Sequence, residues 1–359
     1  MLKIKENCRW AAVAPSSLGL RITPTERQTV AVSENYFMQA TSAETNVLNV
    51  LSSLGEETLT LTAFVEGSPL SAFIRRKLRE RGISYRGPAL DQGGPWGYRH
   101  QFNVADAGFG VRGPVVWNDR AGEVGRELEA SFYDLEELFQ REGAAFLHLS
   151  GLIAALSEKT SRLCVELARC AKKNGTAVSF DMNYRASFWE GREKELRERF
   201  EELASLSDVL AGADLAAYDY DLAQMDRGPE GETVEERLDY FGRLLDRVRA
   251  ACPNAAVTLM SYREVLSANR HVFGAVMDYE GSRYTAEPRP IEVLDRIGGG
   301  DGLLGGLLYG LLKGRSPEDC LALGWAAGAL AVTERTDYAS PESEAQLMRI
   351  WNGNAKVRR

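Results

Sequence analysis

The spacing of apolar and polar positions changes period many times along the chain, and those changes lay out most of its elements. Residues 10–14, 19–22 and 29–32 read as short extended pieces separated by proline and polar turns. Residues 44–54 have helical apolar spacing and stop at Gly55, while 58–65 are rich in β-formers. A basic amphipathic helix over 70–81 ends at Gly82, and a short strand comes next at 83–85. This β-α-β-α-β alternation marks a parallel sheet with crossover helices. From 90 to 123 the pattern changes: glycines and prolines punctuate extended runs at 97–104 and 113–118. Trp96, Tyr98, Phe102, Phe109 and Trp117 argue for a small β excursion, able to cover the mouth of a site, rather than a disordered loop.

Alternation resumes with a buried strand at 145–152, a helix over 158–173 stopped by Gly175, and a strand at 176–182. That strand runs into Asp181-Met-Asn183-Tyr-Arg185, and polar residues at the carboxyl end of a parallel strand face the crevice where open α/β sheets bind ligands. The next elements are a charged helix (192–206), a short strand (208–212), an amphipathic helix (233–250) and a strand (255–260). Next come Arg263-Glu264 and a hairpin, 271–279 with 282–286, about Glu280-Gly281. The chain closes with a glycine-rich turn, an apolar helix, and two more helices over 317–334 and 341–351. The pattern predicts an α/β fold: a doubly wound, mostly parallel sheet flanked by helices, with a small β lid.

Composition narrows the field. A chain of 359 residues could form one large domain or two, and 44% hydrophobic residues suit a full-sized core. The net charge of −8 offers no global positive field for nucleic acid. An acidic protein handling an anionic substrate must therefore supply local arginines, and Arg185 is a candidate; the competing reading is a surface ion pair. The five cysteines are scattered without a CxxC pair and the three histidines lie far apart, so no zinc pattern is present. Cys164 and Cys170 fall in a helical pattern and read as buried thiols. The N-terminus lacks a signal-peptide core, and the longest apolar run, 302–312, is too short to span a bilayer. A cytoplasmic, reducing location without membrane contact is the expectation.

The chemistry concentrates in Asp295-Arg-Ile-Gly298-Gly299-Gly300-Asp301-Gly, between the last extended run and the apolar helix. Consecutive glycines let the backbone turn with its N–H groups directed inward. The helix N-terminus behind them favours an anion and an ionised carboxylate at Asp301. An anion cradle beside a carboxylate suits phosphoryl transfer: the cradle holds developing charge and the carboxylate takes the proton of an attacking hydroxyl. Three other readings stand beside it. Gly300-x-Gly302-x-x-Gly305 matches a dinucleotide fingerprint, though the chain continues as helix upon helix rather than as a second βα unit. Gly302, Gly306 and Gly310 could serve packing alone, and Asp301 could be a helix N-cap.

The turn resembles the late signature of the ribokinase-like (PfkB) sugar kinases, and its Gly-Gly-Gly-Asp form is most similar to the 2-keto-3-deoxygluconate kinase branch. Leu20-Arg-Ile-Thr-Pro24, Leu147-His-Leu-Ser-Gly151, Asp181-Met-Asn-Tyr-Arg185 with Phe188-Trp189, Asp119-Arg120-Ala121, Gly324-Trp-Ala-Ala-Gly-Ala-Leu330 and Asn354-Ala-Lys-Val-Arg358 resemble further motifs, over nearly the whole chain. The resemblance implies a single ribokinase-like domain over 1–359, with lid segments near 12–40 and 90–120. It implies an ATP- and Mg2+-dependent kinase acting on 2-keto-3-deoxygluconate or a related sugar or sugar acid. Asp301 would be the base and the Gly298, Gly299 and Gly300 amides the anion hole. Arg120 and Arg185 would hold a substrate carboxylate bidentately. Asn183, Asp181, Tyr98 and Ser42 are expected around the sugar, and Arg263 and Asp295 on the nucleotide side. No protein metal ligand is assigned, and lids that pair between subunits make a homodimer or higher homo-oligomer the expected assembly.

The chain also departs from the pattern. The family's Gly-Gly-x-x-x-Asn reads Thr41-Ser42-Ala43-Glu44-Thr45-Asn46, its early Gly-Glu reads Ser16-Ser17, and the Ser-Ala after the lid arginine reads Glu123-Val124. Its Asn-x-x-Glu, which helps organise magnesium, reads Ala213-Asp-Leu-Ala216. The second functional reading is therefore a catalytically weak homologue that binds a sugar acid or nucleotide in a regulatory role. A dinucleotide-dependent dehydrogenase is a distant third.

Overall fold

The structure is a computed structural model and describes residues 2–212 and 233–356. In chain order the elements begin β1 (Trp10–Pro15), β2 (Gly19–Pro24), β3 (Tyr36–Thr41), α1 (Ala43–Ser53), β4 (Thr58–Leu61), β5 (Phe64–Val65), α2 (Pro69–Glu80), β6 (Ile83–Arg86) and β7 (Ala89–Leu90). They continue with β8 (Phe102–Asp106), β9 (Val115–Asp119), β10 (Ala144–Ser150), α3 (Gly151–Leu156), α4 (Glu158–Lys173), β11 (Ala177–Asp181), α5 (Ala186–Trp189), α6 (Glu193–Leu206) and β12 (Val209–Ala211). From residue 233 onward come α7 (Val234–Ala251), β13 (Val257–Ser267), β14 (Arg270–Tyr279), β15 (Ser282–Glu292), α8 (Gly299–Leu312), α9 (Pro317–Ala331) and α10 (Glu344–Trp351). Strand order is β15-β14-β13-β12-β11-β10-β1-β4-β6 in the large sheet and β3-β2-β8-β9 in a four-stranded one; β5 pairs with β7.

The chain divides into two compact units. The first comprises residues 1–12, 129–262 and 274–288. Here β10 to β13 pair in parallel, Phe146 opposite Ala177 and Ser179 opposite Val209. Every residue of β10 is buried, as a strand covered on both faces requires. Helix α4 starts at a reciprocal capping box, Ser157 with Thr160, and α7 at Thr233 with Glu236, which satisfies N–H groups the helix leaves open. Glu280 and Gly281 join β14 to β15 with φ of 48° and 89°, the left-handed pair that a two-residue hairpin turn needs.

The second unit comprises 13–128, 263–273 and 289–359. Its four-stranded sheet carries the expected β excursions. Two expectations change. Residues 30–32 lie in a turn rather than a strand, and the neighbouring strand is β3, where Tyr36 to Thr41 pair antiparallel with Pro24 to Gly19. Trp10–Pro15 is fully buried in the large sheet and is no part of a lid. Helix α8 is buried nearly all round, with Leu303, Leu304, Leu307, Leu308 and Leu311 at most 5% exposed. Each such leucine contributes about 1.5–3 kcal/mol by leaving water. Backbones meet closely to allow it: a Cβ on Gly302 would lie 2.7 Å from the Ala327 carbonyl oxygen, and one on Gly306 2.5 Å from that of Leu323. The packing reading therefore accounts for those two glycines, both against α9.

Among the described residues no helix is long and apolar enough to cross a membrane. Among the described residues no cysteine is in a disulfide; Cys164 is buried as expected, but Cys170 is only half-buried.

Candidate active site

The glycine turn is built differently from a run of three strained residues. Only Gly298 is left-handed, with φ 88°, and it is the N-cap of α8; Gly299 and Gly300 already belong to the first helical turn. A Cβ on Gly298 would sit 1.9 Å from the Asp337 carbonyl oxygen, so both backbone angle and space exclude a side chain there. The first intrahelical bond runs from the Gly302 N–H to the Gly298 carbonyl. The N–H groups of Gly299 and Gly300, ahead of that bond, lie at the open N-terminal end of the helix. They converge at the positive end of the helix dipole. Gly300 is exposed, and a Cβ placed on it would meet nothing within 4 Å. Packing explains Gly302 and Gly306, but it gives no reason for a glycine at 300.

Asp301 lies at the third helical position, not at the cap, which removes the N-cap reading. Its Oδ2 accepts a hydrogen bond of 2.9 Å from Asn46 Nδ2, and the same nitrogen donates over 2.9 Å to the Asp337 carbonyl. Arg81 fixes the orientation of that amide. Its Nη2 donates to the Thr45 carbonyl at 2.6 Å and lies 3.5 Å from Asn46 Oδ1, and its Nε donates to Asn49 Oδ1 at 2.8 Å. With the cation facing Oδ1, the Asn46 N–H groups are left for the two acceptors. Burial lowers the Arg81 pKa, while Tyr338, Asp337 and Asp301 act to raise it; the guanidinium stacks 3.9 Å from the Tyr338 ring. Asp337 is itself buried and accepts from the Thr41 hydroxyl.

Side chains fill the places where the family has glycines. Ser42 is buried and caps α1, accepting from the Thr45 N–H at 3.1 Å and from Ser16 Oγ at 2.6 Å. Ser16 Oγ also lies 2.9 Å from Glu44 Oε2. Ser17 donates to Glu123, whose two carboxylate oxygens accept from Arg120 Nη1 at 2.8 and 3.0 Å. The Glu123 side chain is 0% exposed and that of Arg120 21%. Tyr98 is half-buried, its N–H bonded to the Gln92 carbonyl at 2.8 Å.

Asp295 is engaged within the fold. Its buried carboxylate pairs with the buried guanidinium of Arg21 on β2 and accepts the Ile297 N–H at 3.1 Å. It braces the entrance to the turn, where the expectation was a nucleotide contact. Arg263 is exposed on β13. In the other unit, Asp181 ends β11 and its Oδ1 accepts the Asn183 N–H at 3.1 Å, Asn183 having φ 36°. Arg185 is exposed and donates to its own neighbour's carbonyl, Tyr184, at 2.7 Å. Among the described residues it forms no ion pair. Tyr184 packs on Trp189 at 5.2 Å and Trp189 on Phe200 at 4.8 Å, so an aromatic stack carries this loop. The segment Ala213–Ala216 lies outside the described residues.

Sequence reasoning omitted Asn46, Arg81 and Asp337 from the site. Asn46 had a signal, being the one position of Gly-Gly-x-x-x-Asn that this chain keeps. Arg81 and Asp337 had none, since only folding brings them to α1 and α8.

The family described as pfkB family carbohydrate kinase matches residues 38–217 and 273–344, more than half of the chain. A 5-dehydro-2-deoxygluconokinase of Clostridium beijerinckii is 27% identical over 213 residues, 58% of this chain and 56% of that relative. The match thus spans little more than half the length of that curated relative. A Listeria monocytogenes protein of the same name is 24% identical over 78% of this chain and 84% of its own. Among solved structures, a 2-dehydro-3-deoxygluconokinase from Thermotoga maritima superposes with a TM-score of 0.83 at 22% identity, covering 96% of this chain and 98% of its own. A PfkB family carbohydrate kinase from Listeria grayi gives 0.81 at 24% identity, covering 95% and 99%.

Proposed function

Since the chain belongs to the pfkB family of carbohydrate kinases, we propose that it transfers the γ-phosphoryl group of ATP to a hydroxyl of a sugar or sugar acid, with 2-keto-3-deoxygluconate the first acid to test. The observation that carries this reading is Asp301 at the third position of α8, hydrogen-bonded to Asn46 beside the Gly299 and Gly300 amides of the helix N-terminus. In the step, the acceptor oxygen bonds to the γ-phosphorus, the bond from that phosphorus to the bridging oxygen breaks, and ADP leaves. The hydroxyl proton passes to Asp301. The Gly299 and Gly300 N–H groups face the place where phosphoryl charge develops, which is where preorganised donors help most. The open space at Gly300 fits a group that approaches the backbone closely.

Magnesium, when bound, would supply positive charge against that of the phosphates. The described residues contain no cluster of three side chains suited to a metal ion. Arg185 is the cation we assign to an acidic acceptor, with Asp181 and Asn183 shaping its loop. The edge strand β9 leaves Val115, Val116 and Trp117 at 62%, 45% and 71% exposure. That apolar edge supports a homodimer formed through the small sheet.

The test is ADP release with MgATP and a panel of sugars and sugar acids, run beside Asp301→Asn. Sugar-dependent turnover should fall by about 10²–10⁴-fold in the variant, with binding of sugar and nucleotide retained. Equal turnover in both proteins would eliminate Asp301 as the base. Binding without turnover in the parent would instead support the second reading, the weak regulatory homologue favoured by Ala213 and Ala216.

A further inference from the structure

We propose that Glu123 is a specificity-determining residue that withholds Arg120 from substrate carboxylates, so that the lid end of the pocket receives a hydroxyl-bearing, uncharged part of the acceptor. The inference rests on the kinase reading for the word substrate, but its geometry stands apart from the chemistry at Asp301. An arginine meant to capture a substrate acid should present its donors unpaired or only water-bound. Here both Glu123 oxygens lie within 3.0 Å of Arg120 Nη1. The Glu123 side chain is fully buried, with the Ser17 hydroxyl as a further donor.

The segment that carries the pair is held in place. The Arg99 N–H donates to the Gly122 carbonyl, the Val124 N–H donates to the Arg99 carbonyl, and Arg99 Nε donates to the Ala121 carbonyl at 2.6 Å. Arg99 also pairs with Asp119. Gly122 has φ 64°, and a Cβ there would lie 2.9 Å from the Gly97 carbonyl oxygen. The turn fixes the Arg120 backbone, so its guanidinium reaches a ligand only by a side-chain rotation that gives up the Glu123 pair. A substrate carboxylate that took the guanidinium would leave a buried glutamate beside a single serine hydroxyl. Stripping one partner from a buried ion pair is strongly unfavourable.

The neighbouring replacement points the same way. Ser16 bonds the buried carboxylate of Glu44 as Ser17 bonds that of Glu123. Two consecutive serines thus each contact a buried acid on this side of the site. Carboxylates accept hydrogen bonds from hydroxyls and repel other carboxylates. Any acid recognition must then come from a cation other than Arg120.

The experiment compares the parent with Glu123→Gln and Glu123→Ser, each checked for a cooperative thermal transition. Binding of gluconate and 2-keto-3-deoxygluconate, and of fructose and sorbitol, is measured by calorimetry without nucleotide, and kcat/KM is measured with MgATP. Releasing Arg120 should raise the acid-to-neutral ratio by about 10- to 100-fold, with the KM for ATP unchanged. Adding Arg120→Gln to either variant should abolish that gain, a result that a merely structural role for Glu123 would not produce. An unchanged ratio in whichever single variant folds overturns the proposal, as does a gain that survives Arg120→Gln. If binding selectivity shifts but no sugar is phosphorylated, the kinase reading fails and this one stands. Turnover with no shift in the ratio has the reverse meaning.

Discussion

Replacing Asn46 by aspartate puts a second carboxylate where the amide now donates to the proposed base. The amide nitrogen lies 2.9 Å from Asp301 Oδ2. Two unit charges at that separation repel by about 6 kcal/mol at an effective dielectric of about 20, or about four pKa units. Arg81, 3.5 Å from the Asn46 oxygen, and the partial exposure of Asp301 offset some of this. Halving the figure leaves a rise of about two units for the first proton bound by the pair. Asp301 must be ionised to accept the hydroxyl proton, so raising its pKa removes activity from the acid side. The acid limb of the kcat–pH profile should therefore move up by about two pH units, read by ADP release between about pH 5.5 and 9. The alkaline plateau should stay below that of the parent, because the amide donor is gone. A limb that does not move, in a protein with a normal thermal transition, would refute the reasoning. Either Asn46 would not touch the base during turnover, or Asp301 would not be the base.

Three other outcomes rest on the same geometry. Gly300→Ala meets no protein atom and improves helix propensity by about 1 kcal/mol, so its melting temperature should hold or rise while kcat/KM for ATP falls; unchanged kinetics would place the phosphoryl group elsewhere. Arg185→Ala, at an exposed position, should leave stability within about 0.5 kcal/mol and weaken acidic sugars by about tenfold or more, and an unaltered affinity would remove its assigned role. Burial pushes His148 down to about 3, and burial with Arg263 and Arg296 nearby pushes His271 down to about 4. Both stay neutral in the fold but bind protons in the unfolded chain below about 6.5, so stability should fall as pH drops from about 6.5 toward those values. From about pH 7 to 5 the two together cost about 4 kcal/mol, and urea midpoints that do not change over that range would contradict the burial.

Much of the fold was legible because local pattern and final environment agree. Residues 158–173 carry their own cap, period and stop, and the helix occupies that span. Glu280-Gly281 names its own turn, and β14 and β15 flank it. The failure over 29–32 has a plain cause: a β-prone tetrapeptide without a partner strand does not stay extended, and the pairing in register with β2 begins at Tyr36. Of the candidate site, the left-handed glycine and the place of Asp301 in the first turn of α8 could be read directly, since consecutive residues set them.

The chain by itself determined the α/β class, the helix-launched glycine turn, and the carboxylate set at the positive end of that helix. Only the tertiary structure decided what the charges near it are doing. Arg21 finds Asp295, Thr41 finds Asp337, and Arg81 and Asn46 orient Asp301, across separations that no periodicity encodes. Arg120 lies three residues from Glu123, close enough to suggest a pair, but whether that pair is solvated or sealed depends on burial. A carboxylate in water is a weak partner for arginine; one with 0% exposure holds it fast. Burial belongs to the assembled fold, and with it the difference between a solvated ion pair and a sealed one.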